Sequence, residues 1–237
     1  MEPTAINEQS LEYVGKELEI FAHAREWKNY WAGVIRPYVF GDVLEVGAGI
    51  GANTSKFHNS AVRSVHSLEP DVRLAIRLRD TACTLLGGTV SVGTISTLSQ
   101  QFDSIVYIDV LEHIEDDQLE LEKAATLLRP HGNLIVLGPA HQGLFSPFDA
   151  AIGHYRRYDR RSLSACSPST CRLVRILYLD SVGLLFSWMN RYILKQRQPT
   201  IRQILFWDRY VIATSRLVDH MFGHRLGKSI LGVWERT

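Results

Sequence analysis

Between residues 42 and 138 the chain alternates between two patterns of apolar and polar positions. Short apolar runs rich in β-branched residues are followed by longer segments in which apolar residues recur every three or four positions. The first pattern predicts buried strands, and the second predicts amphipathic helices. Their regular alternation indicates a parallel sheet with right-handed crossovers. We predict strands at 42–46, 64–68, 89–93, 103–108 and 132–138, with helices at about 50–58, 71–82 and 116–129.

The segment before the first strand has a helical pattern. Apolar and aromatic residues lie at helical spacing over residues 8–39, and Pro37 ends the pattern. We therefore predict an N-terminal helical cover. This cover either packs on the sheet or forms a lid over a bound ligand, and in the second case Trp27 or Tyr30 would lie near the site.

The alternation weakens after residue 138. Residues 139–158 predict a long loop, and loops of this length in compact domains are usually functional or mobile. Asp159 is a suitable N-cap for a short helix over 160–165. A strand over 173–179, helices over 181–222 and a last strand over 229–234 complete the prediction.

Composition and charge place the chain among ordinary globular proteins. It has 237 residues, of which 46% are hydrophobic and 22% charged, and we predict a single domain over 1–237. The net charge of +1 disfavours a nucleic-acid partner. Three cysteines without metal-ligand spacing predict neither structural disulfides nor a bound metal. The N-terminus does not resemble a signal peptide, and no apolar run reaches about 18 residues, so we expect a cytoplasmic protein.

A glycine-rich loop follows the first predicted strand, in the sequence Glu45-Val46-Gly47-Ala48-Gly49-Ile50-Gly51. Glycine tolerates positive φ and lets the backbone approach a ligand, so a loop of this kind predicts a nucleotide site. The spacing also fits a relaxed dinucleotide pattern, and the later acid Glu69 suits either ligand. Glu45 favours a different cofactor, because a pyrophosphate would meet its negative charge, whereas a sulfonium and an ammonium would not.

A second motif, Asp109-Val110-Leu111-Glu112-His113, follows the predicted strand at 103–108. Together with the glycine-rich loop and Glu69, it resembles the class I S-adenosylmethionine-dependent methyltransferases over residues 40–140, the predicted cofactor-binding core. The segment 139–158, which ends in His154-Tyr155-Arg156-Arg157-Tyr158, resembles more narrowly the bacterial small-molecule members from glycan, lipid-linked sugar and secondary-metabolite pathways.

The resemblance implies a fold and a cofactor. The fold is α/β and Rossmann-like, with a seven-stranded, mostly parallel sheet, helices on both faces and a final antiparallel hairpin that carries residues 181–222 as a helical substrate cap. The cofactor is S-adenosyl-L-methionine, with S-adenosyl-L-homocysteine as product. The glycines and Glu45 would serve the methionine part, Glu69 the ribose hydroxyls, and the residues after the third strand the adenine. The full set implied is Glu45, Gly47, Gly49, Gly51, Glu69, Thr94, Ile95, Asp109 and Val110.

The sequence leaves the catalytic and acceptor-binding residues open. His113, His141 and His154 are candidates for a base because imidazole titrates near neutral pH, although His113 can equally have a structural role. Arg156 and Arg157 could hold a phosphate or carboxylate of the acceptor, or pair with Asp149 and Asp159 to keep the loop closed. The predicted substrate-binding set is Tyr30, Tyr155, Arg156 and Arg157.

Methyl transfer to a small molecule is the main functional prediction. The acceptor group would be a hydroxyl of a sugar, a phenol or an apolar natural product, with an anionic acceptor and N- or C-methylation left open. A nicotinamide-dependent oxidoreductase is disfavoured because no Tyr-x-x-x-Lys sequence is present. The remaining alternative is a repurposed member of the fold, either a cyclase-like catalyst or a membrane-associated partner of a synthase. The apolar, basic C-terminal segment also leaves open a peripheral membrane contact and either a monomer or a homodimer.

Overall fold

The computed structural model of the chain describes residues 17–82, 88–189 and 200–237. Three features of the sequence prediction lie outside the described residues. They are the part of the N-terminal cover before residue 17, Cys83, and residues 190–199 of the cap.

Seven strands form one sheet in the order β3-β2-β1-β4-β5-β7-β6. The last strand in the chain, β7, runs antiparallel to both β5 and β6, and the other neighbouring strands are parallel. The predicted seven-stranded, mostly parallel α/β fold with its final hairpin is therefore confirmed. The strands are β1 (Gly41–Val46), β2 (Val62–Glu69), β3 (Gly88–Val92), β4 (Phe102–Ile108), β5 (Leu128–Pro139), β6 (Cys171–Leu179) and β7 (Ser229–Arg236).

Helices cover both faces of this sheet, as predicted. Along β1, Val43 packs into the hydrophobic cluster on one face and Leu44 into the cluster on the other. Burial on both faces explains why the central strands read as continuous apolar runs. The described α-helices are α1 (Glu17–Ala22), α2 (Arg25–Ile35), α3 (Val72–Ala82), α4 (Asp117–Thr126), α5 (Pro147–Ala151), α6 (Arg160–Ala165), α7 (Ser181–Met189), α8 (Ile201–Phe206) and α9 (Ile212–Met221).

The helix predicted over 50–58 is wrong. Only a short 3-10 helix over Thr54–Phe57 forms there. Gly49 and Gly51 have φ values of 58° and 80°, which a right-handed helix does not permit. The chain therefore stays in a loop until it has passed the third glycine.

The predicted long loop over 139–158 contains more regular structure than expected. A 3-10 helix spans Gln142–Leu144, and α5 follows it. Ser146 and Asp149 form a capping box at the start of α5, with a proline at its first turn. Asp159 then caps α6 as predicted, because its carboxylate accepts the Ser162 N–H at 2.7 Å. This segment is thus held by its own local hydrogen bonds.

The N-terminal cover and the C-terminal helices form one layer over the sheet. Asp208, in a π-helical turn over Trp207–Val211, accepts hydrogen bonds from the backbone N–H groups of Glu26 and Trp27. Asp219 accepts the hydroxyl hydrogen of Tyr30 at 2.7 Å. Two buried carboxylates of the cap therefore tie it to α2. Within the described segments, no helix combines the length and the apolar character needed to cross a membrane.

Candidate active site

The candidate residues gather at the carboxyl ends of three neighbouring strands. The glycine-rich loop follows β1, Glu69 ends β2, and Asp109 follows β4. Since β1 lies between β2 and β4, the chain changes direction across the sheet at this point. Ligands of doubly wound α/β folds bind at such a switch point.

The glycine-rich loop makes a tight turn against two strands. The N–H groups of Gly47 and Ala48 both donate to the carbonyl of Leu68, at 2.8 and 3.1 Å. Gly47 has φ of 65°, and a Cβ placed on it would lie 2.7 Å from Cγ2 of Val110. Only glycine fits this position, because the loop, β2 and the segment after β4 are in close contact here.

Glu69 organises the same loop. Its Oε2 accepts the Gly49 N–H at 2.8 Å, and its Oε1 accepts the Asp71 N–H at 2.9 Å. Burial raises the pKa of this carboxyl, while the two backbone hydrogen bonds oppose the rise. Each oxygen keeps further lone-pair capacity, which suits the predicted contact with a ribose diol.

Glu45 lies behind the loop, in the interior. Its Oε2 accepts hydrogen bonds from Thr54 Oγ1 at 2.6 Å and from Ser67 Oγ at 2.9 Å. Ser67 is its direct neighbour across the β1–β2 pairing. Burial raises the pKa of Glu45 to about 7, and the two hydroxyls oppose that rise. The side chain thus connects the end of the glycine-rich loop to β2.

The remaining predicted cofactor residues differ in their exposure. Asp109 is an exposed residue with φ of 54°, and its N–H donates to the carbonyl of Leu137. Val110 packs beside Gly47. Thr94 is exposed, whereas the Ile95 side chain is 2% exposed and packs in the core. Ile95 therefore offers a ligand its backbone rather than its side chain.

Two of the three predicted catalytic histidines lie together. The rings of His113 and His154 meet edge to face with centroids 4.5 Å apart. His154 Nδ1 is 3.1 Å from Asp149 Oδ1. The ring of His141 instead stacks on Tyr178, and its Nε2 is bonded to the carbonyl of Gly227. Each ring thus has a contact within the protein that does not require a substrate.

The two arginines of the segment 139–158 both have carboxylate partners. Arg157 donates through Nε and Nη2 to the two oxygens of Asp149, each at 3.0 Å. Arg156 pairs with Asp117 at 2.6 Å. Of the two roles left open by the sequence, these contacts favour holding the segment closed. The acid that pairs with Arg156 is Asp117, whereas the sequence prediction had named Asp159.

The two tyrosines predicted to bind substrate are placed differently. Tyr155 is 51% exposed and can contact a ligand. Tyr30 is buried, with its hydroxyl held by Asp219, so it joins α2 to the cap. A cavity of about 420 Å³ beside the segment 139–158 is lined by Arg156 and Arg157 among others, but by none of the predicted cofactor residues.

Comparison with known proteins agrees with this geometry. A family model described as a methyltransferase domain matches residues 21–167, more than half of the chain. The chain belongs to this methyltransferase family. The predicted assignment to the class I S-adenosylmethionine-dependent methyltransferases, and with it the cofactor, is confirmed at the level of the family. No curated protein matches the chain in sequence.

Solved structures show the same fold at low sequence identity. The N-methyltransferase NodS from Bradyrhizobium japonicum, solved with S-adenosyl-L-homocysteine, is 13% identical with a TM-score of 0.60, covering 95% of this chain and 94% of its own. Coclaurine N-methyltransferase, bound to N-methylheliamine and S-adenosyl-L-homocysteine, is 15% identical with a TM-score of 0.60, and the match covers 87% of this chain and 71% of its own. The [4+2]-cyclase SpnF is 12% identical with a TM-score of 0.60, and the match covers 87% of this chain and 79% of its own.

Three residues of this methyltransferase were not singled out as site residues from its sequence. Glu112 is fully buried beside His154, and Asp149 binds both His154 and Arg157. The side chain of Lys228 lies over Trp207, 4.9 Å from the ring centroid. Burial lowers the pKa of Lys228, and Asp180 opposes the shift. The capping-box sequence around Asp149 was a usable signal, whereas the position of Lys228 depends on the final hairpin.

Proposed function

We propose that this methyltransferase transfers the methyl group of S-adenosyl-L-methionine to a hydroxyl of an apolar small molecule. The observation that carries the proposal is the joint placement of the glycine-rich loop and Glu69, whose carboxylate accepts the Gly49 N–H at the switch point of the sheet. A loop with three positive-φ glycines beside an acid that ends the next strand suits an adenosyl cofactor.

The proposed cofactor residues follow from this placement. Gly47 and Gly49 bring backbone groups to the methionine part, Glu69 binds the ribose hydroxyls, and Asp109 and Val110 close the site from the end of β4. Glu45 holds the loop in position through Thr54 and Ser67. When bound, the cofactor supplies a methyl group activated by the attached sulfonium. The protein then has to align the acceptor oxygen with that carbon and exclude water.

An aromatic cluster beside the loop supports an apolar acceptor. Leu18 of α1 lies next to Gly49, and Phe21 on the same helix packs edge to face on Trp207, with centroids 6.4 Å apart. Trp27 adds a second ring contact to Trp207. The helix α1 therefore extends from the predicted cofactor loop to the cap, as a lid would. An acceptor seated there would meet aromatic rings and the ammonium of Lys228.

We further propose a cytoplasmic protein whose cap contacts an anionic membrane surface. Cys166 and Cys171 are free thiols, which suits a reducing compartment. The exposed side of the cap combines apolar and basic residues, which suits contact with anionic lipid head groups.

Calorimetric titration of the enzyme with S-adenosyl-L-homocysteine tests the cofactor site. We expect stoichiometric binding by the native protein and much weaker binding by Gly47→Ala. The alanine would have to adopt positive φ beside Val110, a strain of about 1–3 kcal/mol that corresponds to roughly tenfold to a hundredfold in affinity. Absence of binding to the native protein would overturn the proposal.

Gly33→Ala is the matched control, because Gly33 is exposed on α2 and a Cβ there meets no atom within 4 Å. It should bind as the native protein does. The transfer itself requires a panel of apolar hydroxyl acceptors with mass-spectrometric detection of a methylated product. Binding of the cofactor without methylation across the panel would favour the cyclase-like alternative.

A further inference from the structure

The carboxyl group of Glu112 is buried, with His154 Nε2 3.8 Å from its Oε1. Glu112 is 0% exposed, and neither of its carboxylate oxygens has a hydrogen-bond partner among the described residues. A buried carboxyl group without a hydrogen-bond partner is costly, and a bound cation would offset that cost. The methyltransferase mechanism given above makes no use of this side chain.

Two imidazoles face the same point. Glu112, His113 and His154 each offer one ligand atom, and these atoms all lie within 4.8 Å of one another. The distance between His154 Nε2 and Glu112 Oε1 is 3.8 Å, about 0.4 Å longer than the separation of two ligands that lie about 2.1 Å from one tetrahedral ion, so a small side-chain movement would complete the site. An imidazole coordinates a metal as the neutral ring, so an ion bound by His113 and His154 would displace any proton from the coordinating nitrogens.

The surroundings orient the rings as metal sites require. His154 Nδ1 contacts Asp149 Oδ1, which leaves Nε2 directed towards Glu112. A carboxylate–histidine pair of this kind fixes the tautomer and raises the basicity of the coordinating nitrogen. A backbone hydrogen bond to Gly153 holds His113. Asp149 in turn is held by Arg157 through two hydrogen bonds.

The local charge also has room for a cation. The carboxyl groups of Asp109 and Asp149 both act on Glu112, and the basic groups that act on these three acids are His154, Arg157 and Lys228. Because a coordinating imidazole is neutral, a bound ion would lie among three carboxyl groups and two basic side chains, those of Arg157 and Lys228.

We propose that Glu112, His113 and His154 bind one divalent transition-metal ion, with zinc as the best match. Two imidazoles and one carboxylate are ligands that zinc accepts, whereas magnesium prefers oxygen ligands alone. The three protein ligands leave a coordination position for water. Because His154 belongs to the segment 139–158 and the other two ligands follow β4, the ion would fasten that segment to the carboxyl end of β4, the central strand of the sheet. The inference does not depend on the proposed acceptor.

Zinc titration of untagged protein, dialysed first against a chelator, tests this proposal by calorimetry and by thermal unfolding. We expect one ion per chain and a Tm that rises with zinc, since an ion bound only by the folded state stabilises it. Glu112→Gln and His154→Gln should each weaken zinc binding at least about a hundredfold, the upper end of the loss expected for an outer-shell partner. Magnesium should bind much more weakly than zinc.

Two features of the test separate a metal site from a structural role. In chelator, Glu112→Gln should unfold at the same temperature as the native protein or higher, because it removes a buried unpaired carboxyl. Glu115→Gln and His131→Gln replace exposed residues and should leave zinc binding unchanged. The proposal fails if the native protein takes up no zinc at micromolar concentration, or if Glu112→Gln binds it as tightly. Binding of S-adenosyl-L-homocysteine, measured separately, reports on the cofactor site whatever the zinc result.

Discussion

Glu45 shows how one buried acid can serve a loop and still oppose folding. Its carboxylate accepts two hydroxyl hydrogens that join the end of the glycine-rich loop to β2. Its pKa nevertheless rises from 4.5 to about 7, because burial outweighs those two bonds. The protonated form is therefore the one that the folded protein favours.

The free energy of unfolding should consequently fall as the pH rises from the unfolded pKa of Glu45 to its folded pKa. The unfolded chain releases this proton near its ordinary pKa of 4.5, whereas the folded protein retains it up to about 7. The stability present at low pH is lost between these values, up to about 3 kcal/mol. Glu45→Gln keeps an oxygen that can accept both hydroxyls and removes the titration. In urea unfolding at pH 5 and pH 8, the free energy of unfolding of the variant relative to that of the native protein should be higher at pH 8 than at pH 5.

The control for Glu45→Gln is the same substitution at a glutamate outside the core. Glu115 is exposed, so Glu115→Gln should differ from the native protein by the same small amount at both pH values. If Glu45→Gln is less stable than the native protein at pH 8, burial does not dominate the ionisation of Glu45 and the assignment is wrong.

At the scale of elements, α2 depends on a distant residue for its N-cap. Ala24 precedes the helix and supplies no side-chain acceptor. The carboxylate of Asp208 takes that role, with the Trp27 N–H at 2.8 Å and the Glu26 N–H at 3.1 Å. The first turn of the cover is thus completed by the cap, at a separation of 182 residues from Glu26.

Removal of this contact should loosen the cover. Asp208→Ala leaves two N–H groups without their acceptor, one of them buried, and should lower the free energy of unfolding by about 1–3 kcal/mol. Asp208→Asn keeps one acceptor oxygen and should lose less. Asp80→Ala removes an exposed acid from α3 and should change stability by less than about 0.5 kcal/mol. Urea unfolding that ranks the three variants in any other order would contradict the capping role.

These elements also show what local sequence can predict. The strands and the capped helix α6 were predictable because burial on both faces and an Asp N-cap leave patterns within a few residues. The helix over 50–58 was mispredicted because side-chain pattern does not report the positive φ of Gly49 and Gly51. The cap of α2 by Asp208 and the approach of His154 to Glu112 were not predictable, since both depend on contacts between distant segments.

At the scale of the whole molecule, the cap has a surface of uniform character. Its two acids, Asp208 and Asp219, are buried, while its described arginines are exposed. Large apolar side chains lie between those arginines, and Leu185 and Met221 are each 70% exposed. Exposed apolar and basic groups suit a membrane interface with anionic lipids. Arg216 also lies 4.0 Å from the carboxylate of Glu26 on α2, so Arg202 and Arg209 are the arginines to test. The cap surface consists of Leu185, Phe186, Trp188, Met189, Ile201, Arg202, Leu205, Phe206, Arg209, Tyr210, Arg216, Leu217, Met221 and Phe222.

Flotation with vesicles tests whether this surface binds a membrane. The protein should float with vesicles that contain phosphatidylglycerol, remain behind with pure phosphatidylcholine, and bind less as salt increases, because screening weakens the attraction. Each arginine near such a surface is worth about 1 kcal/mol, so Arg202→Ala with Arg209→Ala should reduce binding roughly 30-fold. Arg79→Ala with Arg161→Ala removes two exposed arginines outside the cap and should have little effect. A stable dimer that fails to float would show that a second copy of the chain covers the cap instead.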